Sequence, residues 1–159
     1  MRTYSGLITK LGTHEIFVFG SNLSGFHGAG AAGFASFGIT GNHWRKFDYA
    51  SKPDGWRGKW NVKGRGEGLQ HGTDGWSYAL PTVTKAGAKR SRRPGEITDS
   101  IIKLYNCARR NGIWTFYIAQ GAKQGLNGYS ADEMASMYLS AGKVPANVRF
   151  SGEFAELMV

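Results

Sequence analysis

The sequence has little of three features that mark common protein classes: cysteine, long apolar runs and acidic side chains. Cys107 is the one cysteine among 159 residues, so an internal disulfide bond is excluded. Its apolar surroundings favour a small buried side chain over a nucleophile. No apolar run approaches the ~20 residues of a membrane-spanning helix, and residues 1–5 lack the apolar core of a signal peptide. We therefore expect a cytoplasmic protein with no membrane partner.

Acidic residues are outnumbered: 11 stand against 20 lysines and arginines, which gives a net charge of +9. Such a surplus favours an anionic partner, whether a nucleotide, a nucleic acid or a phosphorylated protein. No cysteine or histidine shows zinc-ligand spacing, so we predict neither a metal site nor a cofactor. Hydrophobic residues make up 41% of the chain, enough for one globular domain over residues 1–159.

Strand-like apolar runs alternate with helix-like patterns along the chain. Predicted strands cover residues 7–10, 16–19, 76–80, 113–119 and 147–151, and predicted helices begin near Gly28, at Pro94 and after Ser130. Glu133 completes a capping box with Ser130, and residues 39–76 are predicted to be a long polar loop. This order predicts an α/β protein, a three-layer sandwich around a mixed, mostly parallel sheet.

The most informative segment is residues 16–36, where an apolar strand leads into a glycine-rich turn and then a helix. Backbone N–H groups point outward at such a helix N-terminus, and the helix dipole favours an anion there. Glycines at 25, 28 and 30 let a phosphate approach the backbone closely. A second Gly-rich loop, residues 120–128, also follows a strand and precedes a helix, so both loops are expected at one rim of the sheet. The sequence thus predicts one cleft for a phosphate-bearing small molecule.

Five short motifs are distributed along the chain on both sides of residues 39–64. They are Phe19-Gly20-Ser21-Asn22, His27-Gly28-Ala29-Gly30-Ala31-Ala32, Gly66-Glu67-Gly68-Leu69-Gln70, Ser77-Tyr78-Ala79-Leu80-Pro81-Thr82, and Gly125-Leu126-Asn127-Gly128-Tyr129-Ser130 with Glu133-Met134-Ala135. As a set they resemble a macrodomain-like family common in phages and bacteria, with residues 39–64 as an insertion. The resemblance implies a macrodomain-like fold and, for a phage-encoded chain, a location in the host cytoplasm.

Macrodomains bind ADP-ribose and its derivatives, so the resemblance implies that use for the cleft. Loop 20–30 would hold the distal ribose and its phosphate, with Asn22 bonded to a ribose hydroxyl, and loop 120–128 would hold the diphosphate. The ligand-binding residues predicted on this basis are Gly20, Ser21, Asn22, His27, Gly28, Ala29, Gly30, Ala31, Gln120, Gly121, Gly125, Leu126, Asn127, Gly128 and Tyr129. For Ser21 and Asn22 the alternative is a plain turn after a strand.

Such a protein binds or sequesters ADP-ribose or another NAD-derived nucleotide, for example a signal used in host defence. The alternative is a hydrolase that removes ADP-ribose from a modified protein. The segment from Tyr78 to Tyr138 resembles the terminal ADP-ribose protein glycohydrolases, in which a lysine forms a covalent sugar adduct and an aspartate resolves it. Lys85 is the corresponding lysine, displaced by the extra Val83-Thr84, and Asn127 stands at the aspartate position. Because an amide takes up no proton near neutral pH, this departure counts against that mechanism.

Three side chains are candidates for catalysis, each with a plainer alternative. His27 is either a general acid or ligand donor, or an exposed loop histidine. Glu67 is either a catalytic acid or base between glycines, or an exposed turn carboxylate. Lys85 needs burial to become a nucleophile and otherwise belongs to the solvated basic loop over residues 84–93. Tyr129 either stacks on the ligand or packs in the core.

A stretch of interleaved cations and aromatic rings lies in and next to the insertion. It comprises His43-Trp44-Arg45-Lys46-Phe47, Trp56-Arg57, Lys59-Trp60 and Lys63-Gly64-Arg65. Single-stranded nucleic acid is bound by this chemistry, through stacked bases and a cationic groove. We favour a lid whose rings clamp a nucleotide base. Ordinary loop packing and nucleic-acid binding are the alternatives.

Overall fold

The computed structural model describes residues 1–38, 49–123 and 125–159, which are built around one six-stranded sheet. The strands are β1 (Thr3–Tyr4), β2 (Glu15–Asn22), β3 (Gly68–His71), β4 (Trp76–Val83), β5 (Thr115–Ile118) and β6 (Val148–Ser151). The helices are α1 (Gly30–Phe37), α2 (Pro94–Arg110), α3 (Ala131–Ser140) and α4 (Gly152–Ala155). Short 3₁₀ turns cover Tyr49–Ser51 and Glu156–Met158.

The sheet is mixed and mostly parallel, as the sequence predicts. Its order is β1-β6-β5-β2-β4-β3, and each neighbouring pair is parallel except the antiparallel pair β3–β4 at one edge. In β2, between β5 and β4, residues 16–19 are each no more than 4% exposed. Such a continuous apolar run is typical of a parallel strand that is covered on both faces.

Helices cover both faces of the sheet and complete the predicted three layers. Side chains alternate along β2, so Ile16 and Val18 join the core beneath α2 and α3. Phe17 and Phe19 point the other way and join a second core with α1 and Trp60. The Trp60 ring is fully buried there, with its centroid 5.0 Å from that of Phe17. The predicted α/β sandwich is therefore confirmed.

Local capping signals place the starts of two helices where the sequence predicts them. Pro94 opens α2, where its missing N–H needs no partner. The Ser130 hydroxyl accepts from the Glu133 N–H at 3.1 Å, and the Glu133 carboxylate accepts from the Ser130 N–H at 2.9 Å. This reciprocal pair fixes the start of α3 immediately after loop 120–128.

The structure corrects the predicted elements at the N-terminus. Residues 7–10 do not form a strand, and Leu7 is 79% exposed. The edge strand is β1 instead, which pairs with β6 while the Tyr4 hydroxyl donates to the Ile118 carbonyl at 2.7 Å. Ile8 packs against the second core, but residues 7–10 pair with no strand of the sheet, and a strand needs such a partner for its backbone hydrogen bonds.

Other boundaries differ more modestly. β3 lies inside the segment predicted as loop, and β4 continues past Pro81, opposite a register shift in β2 that suits a residue without an N–H. α1 begins at Gly30 rather than Gly28, and β5 is shorter than the predicted 113–119. Within the described residues, no helix has both the length and the apolar character to span a membrane. Residues 39–48, which include 43–47 of the predicted lid, lie outside the described residues.

Candidate functional site

A cavity of about 710 Å³ lies at the carboxyl ends of the parallel strands. Val18, Leu80 and Ile118 from the sheet, with Met134 and Tyr138 from α3, give it an apolar floor. The volume falls within the range of roughly 300–1,000 Å³ that is usual for small-molecule sites. Its position is where ligands bind in open α/β sheets.

Both Gly-rich loops line this cavity, as their places after parallel strands predict. Loop 20–30 contributes Gly20, Ser21, Asn22, Gly28, Ala29, Gly30 and Ala31, and loop 120–128 contributes Gln120, Gly121, Gly125, Leu126 and Asn127. The loops approach each other most visibly at Gly30, where an added Cβ would lie 3.2 Å from Cδ1 of Leu126. Asn22 and Asn127 therefore face one shared cavity rather than opposite ends of the molecule.

The cavity wall is electropositive where α1 begins. Residues 30–32 of the first turn line the cavity, and the first N–H groups of any helix lack a partner within that helix. The helix dipole adds partial positive charge at the same end. Among the described lining residues, the charged side chains are those of Lys89 and Lys123. The arrangement is suited to an anionic group held against the backbone.

A third wall, which is not among the predicted site residues, is formed by the end of β4 and the loop that follows it. Thr82, Val83 and Lys89 line the cavity from this side. The segment is joined to loop 120–128, because the Arg90 N–H donates to the Asn127 carbonyl at 2.8 Å. A signal was available, since this loop also follows a parallel strand and precedes a helix, the pattern used for the other two.

Asn22 uses its side chain to hold its own loop. Its Nδ2 donates to the Phe26 carbonyl at 2.8 Å, and its Oδ1 accepts from the Ser24 hydroxyl at 2.6 Å and from the Phe26 N–H at 3.1 Å. These bonds order residues 22–26 as an Asx-type turn. The structure therefore gives Asn22 a turn-forming role in addition to its place on the cavity wall.

His27 is fully buried and is absent from the cavity lining. Its Nδ1 lies 2.6 Å from Asn61 Nδ2, and its Nε2 lies 2.8 Å from the Ser21 hydroxyl oxygen. The Ser36 hydroxyl donates to the His27 carbonyl at 3.0 Å. This network fastens the Gly-rich loop to α1 and to the segment around Asn61. It does not present an imidazole to a ligand.

Burial lowers the pKa of His27 from 6.5 to about 3. Below pH 6.5 the unfolded chain takes up a proton on this histidine and the folded chain does not. The contribution of His27 to the free energy of unfolding is therefore fully present above pH 6.5. The free energy of unfolding should fall by up to about 1.4 kcal/mol per pH unit as the pH drops from 6.5 toward 3.

We expect His27→Gln to flatten this slope in denaturant unfolding measured between pH 7 and pH 5. His71→Gln, at an exposed histidine, serves as the control and should keep the wild-type slope. If the two variants showed the same dependence on pH, His27 would not be the buried neutral imidazole described here.

The segment from Asn61 to Gly66 supports loop 20–30 from behind. The Gly64 N–H donates to the Gly25 carbonyl at 3.0 Å, and a Cβ on Gly66 would lie 2.3 Å from the Asn22 carbonyl oxygen. The loop thus keeps its shape through contacts outside the cavity, and its inner face stays available.

Glu67, Lys85 and Tyr129 lie outside the cavity lining. The Glu67 carboxylate accepts from the Ser100 hydroxyl at 2.9 Å and lies 3.7 Å from Lys103 Nζ. Lys85 is exposed on the basic loop, in agreement with its plainer alternative. Tyr129 is 3% exposed and donates its hydroxyl proton to the Arg92 carbonyl, so it packs in the core. None of these placements brings a proton donor or a nucleophile into the cavity.

The described part of the basic aromatic stretch is packing rather than a lid. Trp60 belongs to the second core, and the Trp56 ring lies 5.9 Å from that of Tyr49. Lys59 pairs with Asp74 at 3.3 Å, and Lys63 Nζ donates to the Ala50 carbonyl at 3.1 Å. Residues 49–65 contribute nothing to the described cavity lining, so the predicted lid is wrong for this part of the stretch.

The described residues contain no group of three or more histidine, cysteine or carboxylate side chains placed to hold a metal ion. The chemistry of the cavity is instead that of backbone N–H groups, three side-chain amides, two lysines and an apolar floor. These groups can bind and orient an anionic molecule of nucleotide size. Compared with models of protein families and with curated proteins, the chain matches none of them.

Proposed function

We propose that the protein binds ADP-ribose or a related NAD-derived nucleotide in the cavity between loops 20–30 and 120–128. The observation that carries the proposal is the meeting of two Gly-rich loops and the first turn of α1 around one space of about 710 Å³. The resemblance of the motifs on these loops to macrodomains supports the choice of ligand. On this proposal the chain is a macrodomain-like binding protein.

Each part of the ligand has a matching part of the cavity. The diphosphate suits the first turn of α1, with Lys89 and Lys123 at the wall. A ribose or base suits the apolar floor, to which Leu80 and Tyr138 contribute. The glycines of both loops allow the backbone to approach the phosphates closely.

Binding or sequestration is favoured over hydrolysis by what the candidate catalytic side chains do. His27 is held neutral in a buried network, and Glu67 is engaged by Ser100 and Lys103. Asn127, at the position of the aspartate in the glycohydrolases, accepts the Tyr129 N–H at 2.9 Å. Binding needs donors and shape, whereas turnover needs a positioned acid or base.

Calorimetric titration with ADP-ribose tests the proposal, with adenosine monophosphate as the comparison ligand. We expect saturable binding of ADP-ribose that is tighter than that of the monophosphate, because two phosphates meet the α1 terminus and the lysines. Incubation with an ADP-ribosylated protein then separates binder from hydrolase: release of free ADP-ribose would establish the hydrolase alternative. Absence of any ADP-ribose binding would overturn the proposal.

Lys89→Ala should weaken ADP-ribose binding by about three- to tenfold, as expected for loss of one charge-assisted contact at a solvent-accessible site. Lys85→Ala is the matched control, since Lys85 is on the same loop but outside the cavity lining. Calorimetry at low and high salt should show that the difference in ADP-ribose affinity between the wild type and Lys89→Ala becomes smaller at high salt, because salt screens the contact. Equal losses in the two variants would remove Lys89 from the site.

A further inference from the structure

The end of the sheet opposite the cavity carries four aromatic side chains in contact, here called the aromatic row: His14, Trp114, Trp76 and His71. Ring centroids lie 4.9 Å apart for His14–Trp114, 5.8 Å for Trp114–Trp76 and 4.6 Å for Trp76–His71. The two histidines are exposed and the two tryptophans are half-buried. The row is thus a continuous aromatic surface with solvent on one side.

The topology explains why these rings meet. His14 and Trp114 directly precede β2 and β5, Trp76 begins β4, and His71 ends the antiparallel β3 opposite it. All four positions are therefore at the amino edge of the parallel strands. The cavity lining begins at Val18 in β2, four residues beyond His14 and so roughly 13 Å away at ~3.3 Å per residue. None of the four rings lines the cavity, so the row is a separate surface.

A cation borders the row at one end. The Arg57 guanidinium donates to the His71 carbonyl. Exposed Ile113 directly precedes Trp114 and extends the apolar surface.

Carboxylates near the row are already engaged. Asp74 lies 3.3 Å from Lys59 Nζ. Glu15 accepts from the Gly12 N–H at 2.6 Å and from the Tyr117 hydroxyl at 2.7 Å. The Asp74 charge is thus balanced by Lys59, and the net charge of +9 makes the chain as a whole attractive to a polyanion.

We propose that the aromatic row and the adjacent Arg57 bind single-stranded nucleic acid, independently of the nucleotide cavity. Bases stack on exposed rings without need of a particular sequence, while guanidinium groups contact the phosphates. A protein or a second copy of the chain fits the surface less well. Two copies that each carry a net charge of +9 repel one another, whereas a polyanion is attracted.

Fluorescence anisotropy with a labelled oligothymidylate tests the proposal on the full chain. We expect binding that weakens steeply with salt and that falls roughly tenfold or more in His71→Ala/Arg57→Ala, which loses one stacking ring and one cation. Lys85→Ala, which removes one charge at the cavity end, should keep wild-type affinity. Both variants should retain ADP-ribose binding and thermal stability, which separates failure of this proposal from failure of the cavity proposal.

Three outcomes would overturn the proposal: no oligonucleotide binding by the wild type, equal affinity in the wild type and in His71→Ala/Arg57→Ala, or displacement of the oligonucleotide by ADP-ribose. The last would place the nucleic acid in the cavity. Sedimentation of the wild type and of Trp114→Phe tests whether a second copy of the chain binds at the row instead. Concentration-dependent dimerisation of the wild type that is weaker in Trp114→Phe would identify a second copy as the partner.

Discussion

Gly25→Ala is expected to lower the free energy of unfolding by about 3 kcal/mol or more. Gly25 has φ of +72°, a conformation that costs an L-residue about 1–2 kcal/mol. Its added Cβ would lie 2.3 Å from the carbonyl carbon of Gly64 and 2.5 Å from the Arg65 nitrogen. Both are backbone atoms that cannot rotate away, so overpacking adds a further ~1–3 kcal/mol.

Gly55→Ala separates the cost of the positive-φ conformation from the cost of overpacking. Gly55 has φ of +87°, but an added Cβ there meets nothing within 4 Å. Its substitution should therefore cost only the conformational part, about 1–2 kcal/mol. Chemical denaturation of both variants measures the difference. Equal losses would mean that Gly64 and Arg65 do not press against loop 20–30 as the structure describes.

Filling the cavity from loop 120–128 should abolish measurable nucleotide binding while leaving the fold intact. An added Cβ at Gly125 meets nothing within 4 Å, and one at Gly121 meets only the Lys123 nitrogen at 4.0 Å. Both glycines line the cavity, and neither has a positive φ. We expect Gly121→Val/Gly125→Val to weaken ADP-ribose binding at least ~100-fold, equivalent to about 2.8 kcal/mol.

Gly112→Val is the matched control for this double variant. Gly112 also has open space around its Cβ position and no positive φ, but it is outside the cavity lining. Its ADP-ribose affinity, measured by calorimetry, should equal that of the wild type. Retained binding in the double variant would show that the ligand is held elsewhere.

The parts of the fold that sequence predicts well are those that local chemistry determines. The apolar run at residues 16–19 has one stable environment, a central parallel strand. The Ser130 and Glu133 side chains each accept a hydrogen bond from the backbone N–H of the other residue, with no contribution from the rest of the chain. Elements of this kind gave the α/β class and placed both Gly-rich loops at one rim.

The parts that sequence missed depend on distant partners. β3 exists because it pairs with β4, and β1 exists because it pairs with β6. The role of His27 is set by Asn61, 34 residues further on, which no local pattern indicates. Trp60 is a residue type that often stacks on a nucleotide base, but here it fills the core between Phe17 and Phe34. Side-chain type alone does not distinguish a ring that meets a ligand from a ring that meets a core.

A crystal structure of the protein saturated with ADP-ribose would show where the nucleotide binds. We expect density for the diphosphate at roughly 2.7–3.2 Å from the N–H groups of the first turn of α1, between Asn22 and Asn127. Nucleotide density confined to another surface, or a cavity still empty of nucleotide at saturating concentration, would contradict the proposed function.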